Sequence, residues 1–256
     1  MTRALAALLI ILATVAAAPA DLRGFGYAQH PGAALPQSAT FHDESGAERH
    51  LTDFAGRPMI LALGYFHCPN LCGLVRADLL DALRRTGMIA GRDYDLVALS
   101  IDPAETPADA REAKQTDMQH FDLPSDRAGW HYLTGDAAAI AQVSEAVGFR
   151  DRFDATAKQF LHPAGLVFAT SRGVVSSYLL GVGYAPGDVR LAVARAADGT
   201  IARAALPVLL LCFHYDPTTG RYSLAIMKVL RLAAAVTVLT LMGAGFLMFR
   251  RGGRAA

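Results

Sequence analysis

Very little of this sequence is charged. Lys, Arg, Asp and Glu make up 18% of the 256 residues, and 53% are hydrophobic. An ordinary soluble domain carries about a quarter charged residues. Neither sign prevails, since 24 Lys and Arg stand against 23 Asp and Glu, a formal net charge of +1. A nucleic-acid binder normally shows a basic excess on its working face, so no nucleic-acid partner is expected. Cysteine is scarce as well, with three residues, too few for a disulfide-dense miniprotein. Collagen-like and disordered classes are excluded by composition. No internal repeat or low-complexity tract is present, and the length fits one domain, or at most two.

The apolar excess sits at the two ends. Arg3 is followed by an uncharged apolar run over residues 4–17, and Ala18-Pro19-Ala20 then forms an A-x-A cleavage site before Asp21. This is the pattern of a secretory signal. A permanent anchor is the rival reading, but about 20 apolar residues are needed to span a bilayer, and this run is shorter. A cleaved signal places the mature chain where disulfides are permitted.

At the other end, residues 232–249 carry no charge. A helix of that length is about 27 Å long, close to the hydrocarbon thickness of roughly 30 Å. Arg250, Arg251 and Arg254 follow at once, as in a cytoplasmic tail, although Lys228 and Arg231 on the other side weaken the asymmetry. The expected organisation is therefore a signal over 1–20, a working domain over 21–205, a membrane-proximal hairpin over 206–228, a transmembrane helix over 229–249 and a tail over 250–256. That organisation places a single-pass protein in the inner membrane with its functional domain in the periplasm.

Within the working domain, residues 40–51 read as a hairpin around Ser45-Gly46. Residues 59–66 form a continuous apolar run, the mark of a strand buried on both faces. Residues 73–85 have a helical apolar period. A second buried strand covers 94–101, and a helix over 107–121 begins with proline in its first turn. Another helix covers 136–147 and ends at Gly148. Residues 166–170 and 174–180 flank Ser171-Arg172-Gly173 as a hairpin, and a last helix covers 188–197. Strands alternating with helices, followed by a terminal hairpin, predict a mixed three-layer α/β sheet.

The chemistry gathers at the first strand-to-helix junction, Gly64-Tyr65-Phe66-His67-Cys68-Pro69-Asn70-Leu71-Cys72-Gly73. Open α/β sheets place their functional residues at such junctions, and the amides of a helix N-terminus stabilise thiolates. Cys68 and Cys72 could form an inert disulfide, although such bonds gain more when they close longer loops. They could also hold a metal. A structural zinc site needs four ligands, whereas two thiolates and one imidazole suit copper, because soft sulfur ligands select Cu(I).

Eight histidines could supply the imidazole. His30, His42 and His50 fall in the N-terminal segment and first hairpin, where exposure is the default. His120 and His131 border helix and loop. His67 would point to the opposite face from Cys68. His162, in Phe160-Leu161-His162-Pro163, stands immediately before a strand, where a histidine is more often structural than a ligand. Spacing alone does not select it.

The ordered set of motifs resembles the Sco/SenC family of thioredoxin-like copper chaperones. The resemblance runs over about 41–184. It includes Asp53-Phe54-Ala55-Gly56-Arg57-Pro58, the Cys68-x-x-x-Cys72 site, Leu99-Ser100-Ile101-Asp102-Pro103, Leu133-Thr134-Gly135 and the histidine before the late hairpin. It implies a thioredoxin-like three-layer sandwich with an N-terminal hairpin extension, here joined to the C-terminal transmembrane helix. It also implies a copper ion held by Cys68, Cys72 and His162. The implied service is to the dinuclear copper centre of cytochrome c oxidase subunit II, with other copper carriers or thiol reductants as further partners. Two departures stand out. Leu161 occupies the place where the family usually has Asp, a residue able to orient the imidazole. Many relatives are anchored at the N-terminus rather than the C-terminus.

Two functions from different classes fit these residues. One is a metallochaperone that hands over copper, and the other is a thiol–disulfide oxidoreductase using Cys68 and Cys72. Only the first needs His162. A peroxidase fits poorly, because no Thr-x-x-Cys pattern surrounds Cys68. Beyond the resemblance, residues 209–222 read as a strand, a turn at 216–220 and a return strand. On such a strand Cys212 and His214 share a face. They read either as an auxiliary soft-ligand pair or as a buried free cysteine beside an exposed histidine.

Overall fold

The structure is a computed structural model that describes residues 26–67, 72–121, 128–156, 158–203, 215–216 and 221–222, with single positions 236, 237, 239, 240 and 243. Its chain divides into two compact units, Met1–Cys212 and Phe213–Ala256.

In the first unit the elements follow as β1 (Gly26–Tyr27), β2 (Thr40–His42), β3 (Glu48–His50), a 3-10 turn (Leu51–Phe54), β4 (Met59–Gly64) and α1 (Cys72–Thr86). Next come β5 (Asp95–Ser100), α2 (Pro107–His120), β6 (Trp130–Gly135), α3 (Ala137–Val147), β7 (Phe149–Arg150), β8 (Arg152–Asp154) and β9 (Gln159–Leu161). The unit closes with β10 (Gly165–Ala169), β11 (Val175–Leu180) and α4 (Pro186–Ala197). Seven strands form the main sheet in the order β11-β10-β4-β5-β6-β2-β3. The inner strands β4, β5 and β6 run parallel, and an antiparallel hairpin closes each edge.

Alternate residues of each inner strand feed two separate cores, because side chains on a strand alternate in direction. Ile60, Leu96 and Phe168 face Leu79, Leu80 and Val193 of α1 and α4. Leu61, Leu63, Val97 and Leu99 face Ile140 and Val143 of α3, together with Phe54 of the 3-10 turn. This is the expected three-layer α/β sandwich, with β2–β3 as its hairpin extension.

Local chemistry explains the helix starts. The Thr106 side chain accepts from the Asp109 amide, and the Asp109 carboxylate accepts in return from the Thr106 amide at 2.7 Å, a capping box in front of Pro107. Asp136 caps α3 by accepting from the Ala139 amide at 2.7 Å.

Several sequence expectations needed correction. Residues 130–135 carry no strand signal in the sequence, yet β6 is the inner strand that joins the parallel core to β2. His131 therefore lies inside a strand rather than at a helix border, with its ring 4.4 Å from that of Phe54. Leu51 belongs to the 3-10 turn rather than the hairpin, and α4 starts at Pro186, two residues earlier than expected. The sequence pattern also lacks the short antiparallel pairs β1–β7 and β8–β9 that the structure contains.

In the second unit, β12 (Tyr215–Asp216) pairs antiparallel with β13 (Arg221–Tyr222). Among the described residues, no helix is long and apolar enough to cross a membrane. The signal expected over 1–20 lies outside the described residues, as does most of 232–249.

Candidate metal centre

The sheet register brings the late histidine to the first strand-to-helix junction. Strand β10 runs antiparallel to β4, with Val167 opposite Leu61 and Phe168 opposite Ile60. Each step back along β10 is a step forward along β4. Extending that register carries the residues before β10, including His162, to the chain that leaves β4 at Tyr65 and Phe66. The side chains bear this out, since the Tyr65 and His162 rings stand 5.9 Å apart in an edge-to-face arrangement.

His162 is 3% exposed. Its ring also lies 5.8 Å from that of Phe149, and Phe160 packs edge-on to Tyr65 at 5.7 Å. Burial among these rings pushes the imidazole pKa down, opposed in part by the contact with the Pro163 carbonyl. A neutral imidazole is the form that binds metals. Nδ1 stands 3.0 Å from the Pro163 carbonyl oxygen, which only accepts, so Nδ1 carries the proton. Nε2 then carries the lone pair. The carbonyl thus does part of the orienting work that a neighbouring carboxylate would do, with Leu161 in that place at the end of β9.

Of the other expected site residues, Cys72 is the first residue of α1. Cys68, Cys212 and His214 lie outside the described residues. Among the described residues, no three His, Cys, Asp or Glu side chains converge as a metal site.

Two features of the junction were not read from the sequence. The first is Glu105, in the turn between β5 and α2, whose carboxylate accepts from the Phe66 and His67 amides at 2.8 and 2.7 Å. It also accepts from the Ser100 hydroxyl at 2.5 Å. His67 is half-exposed, with Nδ1 3.2 Å from Glu105 and Nε2 3.8 Å from Asp109. The second is a nearly buried pair on α1 and α2, Arg76 and Asp117, at 2.8 Å. The Arg76 guanidinium lies 5.7 Å over the Phe66 ring, and Phe66 stacks on Tyr132. The Tyr132 hydroxyl donates to Asp117 at 2.7 Å. Burial, with Asp117 beside it, pushes the Tyr132 pKa well up and keeps it a donor. In sequence, Glu105 is one more acid near a helix start and Arg76 one more helical arginine, so neither carried a signal.

A family model described as SCO1/SenC matches residues 28–181. Among solved structures, a candidate electron transfer protein from Aquifex aeolicus VF5 is 25% identical, with a TM-score of 0.59 over 67% of this chain and 96% of that one. Arabidopsis thaliana ScoI, solved with copper bound, is 16% identical, with a TM-score of 0.51 over 62% of this chain and 96% of that one. BsSco, described as a member of the Sco family of cytochrome c oxidase assembly proteins with a disulfide switch, is 18% identical. Its TM-score is 0.50 over 66% of this chain and 97% of that one. The last two likenesses show the fold. Comparison with curated proteins finds no match.

Proposed function

The chain belongs to the SCO1/SenC family, and from that premise we propose that it is a copper metallochaperone of the periplasmic face of the inner membrane. Its client is the dinuclear copper centre of cytochrome c oxidase subunit II. Two relatives by fold support this reading, one solved with copper and one described as an oxidase assembly protein. The observation that carries it is His162, which is buried, protonated at Nδ1 by geometry and set beside Tyr65, three residues before Cys68.

Copper is cargo in this reading, and the donors present fit it. The thiolates of Cys68 and Cys72 with Nε2 of His162 form a soft three-ligand set, suited to Cu(I). Burial keeps the imidazole neutral, and the ring pair Tyr65 and Phe149 restricts its rotation. His162 lies just before β10 and Cys72 opens α1, so in this reading the ligands come from two separate connections. Residues 1–20 as a cleaved signal and 229–249 as a membrane helix belong to the same proposal.

The test is copper stoichiometry and affinity of the reduced, detergent-solubilised full chain. One copper per chain is expected, lost in Cys72→Ser and bound at least tenfold more weakly in His162→Ala. Unchanged stoichiometry in Cys72→Ser overturns the assignment. The alternative of dithiol–disulfide exchange makes His162 dispensable. A His162→Ala strain that still assembles the oxidase copper centre at the parental level favours that alternative.

A further inference from the structure

The hydrogen bonding of the β4–β5 ladder stops short of the site. Register between the two strands ends at Gly64 and Ser100, with a last bond from the Ile101 amide to the Gly64 carbonyl at 2.8 Å. Beyond it β5 turns away at Asp102-Pro103, and the amides of Phe66 and His67 are left without a strand to bond. A buried amide without a partner is costly. Glu105 supplies the missing acceptor, with its two carboxylate oxygens dividing the two consecutive amides between them.

We propose that Glu105 is a positioning residue for Cys68, its buried carboxylate fixing the stretch of backbone from which Cys68 departs. The proposal rests on the reading of Cys68 and Cys72 as the working pair. The Glu105 side chain is only 4% exposed, so its hydrogen bonds are shielded from competing water. It is itself held in place. The Ser100 hydroxyl bonds its Oε2, the Glu105 amide donates to the Asp102 carbonyl at 3.1 Å, and the next residue, Thr106, is the capped start of α2. A rigid turn on one connection thus grips the other. Only residues 68–71 separate the gripped His67 from the first residue of α1. Holding both ends of so short a segment lowers the ordering cost of bringing two thiols to one ion or to each other.

The carboxylate suits this task better than its close substitutes. Glutamine would turn an NH2 group toward one of the two amides, donor against donor. Aspartate is shorter by one methylene and cannot reach both amides from the same backbone.

The experiment compares the full chain with E105Q, Ser100→Ala and His67→Ala, using circular dichroism to establish that each is folded. Loss of an outer partner typically costs a metal site about 10–100-fold in affinity. E105Q is therefore expected to bind Cu(I) at least tenfold more weakly and to shift the thiolate-to-Cu(II) charge-transfer band. A second readout needs no copper. The Cys68 and Cys72 thiols exchange with oxidised glutathione to give the intrachain disulfide and two reduced glutathione molecules, and this equilibrium constant is expected to fall several-fold in E105Q. His67→Ala keeps the amide bonds to Glu105 and is expected to match the parent in the glutathione readout. Parental values in both readouts for folded E105Q overturn the proposal. If E105Q does not fold, Ser100→Ala is expected to shift both readouts less and in the same direction, and parental values there overturn it equally. A parent chain that binds no copper defeats the metallochaperone reading, while the glutathione equilibrium still decides the role of Glu105.

Discussion

At the bend of the first hairpin, Asp43 ties four groups together. Its carboxylate accepts from the Ser45 hydroxyl, the Ser45 and Ala47 amides and the Arg49 guanidinium. Burial alone would raise its pKa, but the Ser45 hydroxyl, Arg49 and the two amides outweigh it and hold the group at about 2. The folded state therefore binds fewer protons than the unfolded state between the ordinary carboxylate pKa and about 2. The resulting stability is complete above the unfolded value, near 4, and is lost as the pH falls through it toward 2. The Arg49 side chain is 41% exposed, so solvent screening limits the gain to about 1–2 kcal/mol. Asp43→Asn should lower stability by about that amount at pH 7. The difference from the parent should shrink by pH 3, as read from urea midpoints at the two pH values. A gap of equal size at both would show that hydrogen-bond geometry rather than charge is responsible. This cluster illustrates a limit of reading residues in order. Ser45-Gly46 marks the bend, but the burial that makes Asp43 matter comes from tertiary packing. His162 shows the same limit, since a lone histidine before a strand gains meaning only from the β10–β4 register.

Single elements were legible where their signal was local. The apolar run of β4, the proline-led start of α2 and the glycine after α3 all follow from neighbouring residues. β6 escaped because Trp-His-Tyr-Leu-Thr-Gly is neither a continuous apolar run nor a clean alternation, even though both its faces are covered. The pair β1–β7 escaped because two residues bonded across a long separation leave no periodicity. Gly148 belongs to both groups. Its φ of 65° closes α3 in the left-handed conformation that favours glycine, which the sequence suggests. It also lies against the N-terminal segment, where Ala28 donates to its carbonyl at 2.7 Å. A Cβ at Gly148 would fall 1.8 Å from the Ala28 carbonyl oxygen, a backbone atom with little room to yield. Gly148→Ala should therefore cost well beyond the roughly 1 kcal/mol of a left-handed alanine, about 3 kcal/mol or more once strain is added. Chemical denaturation measures this. A cost near 1 kcal/mol would mean that the segment carrying β1 detaches freely.

For the whole molecule, the alternation of strands and helices was enough to give the three-layer class, and the motif order gave the family. The order of strands in the sheet was less accessible, because β10 and β11 add to β4 on the side away from β5 and nothing local marks that reversal. Yet that reversal carries the proposed function, because it sets the chain before β10 beside the exit of β4. The location of the molecule rests on residues of a different kind. In the proposed topology a leader ending at Ala18-Pro19-Ala20 is removed, and the uncharged stretch 232–249 halts export with Arg250, Arg251 and Arg254 in the cytoplasm. Such a stretch resists both salt and alkali, because its free energy of insertion comes from apolar burial rather than from ion pairs. Full-length protein isolated from cells should begin at Asp21 and stay in the membrane fraction through a high-salt and an alkaline carbonate wash. A chain stopped after Lys228 should appear in the soluble periplasmic fraction. An N-terminus at Met1 would overturn cleavage, and release of the full chain by salt alone would overturn the anchor.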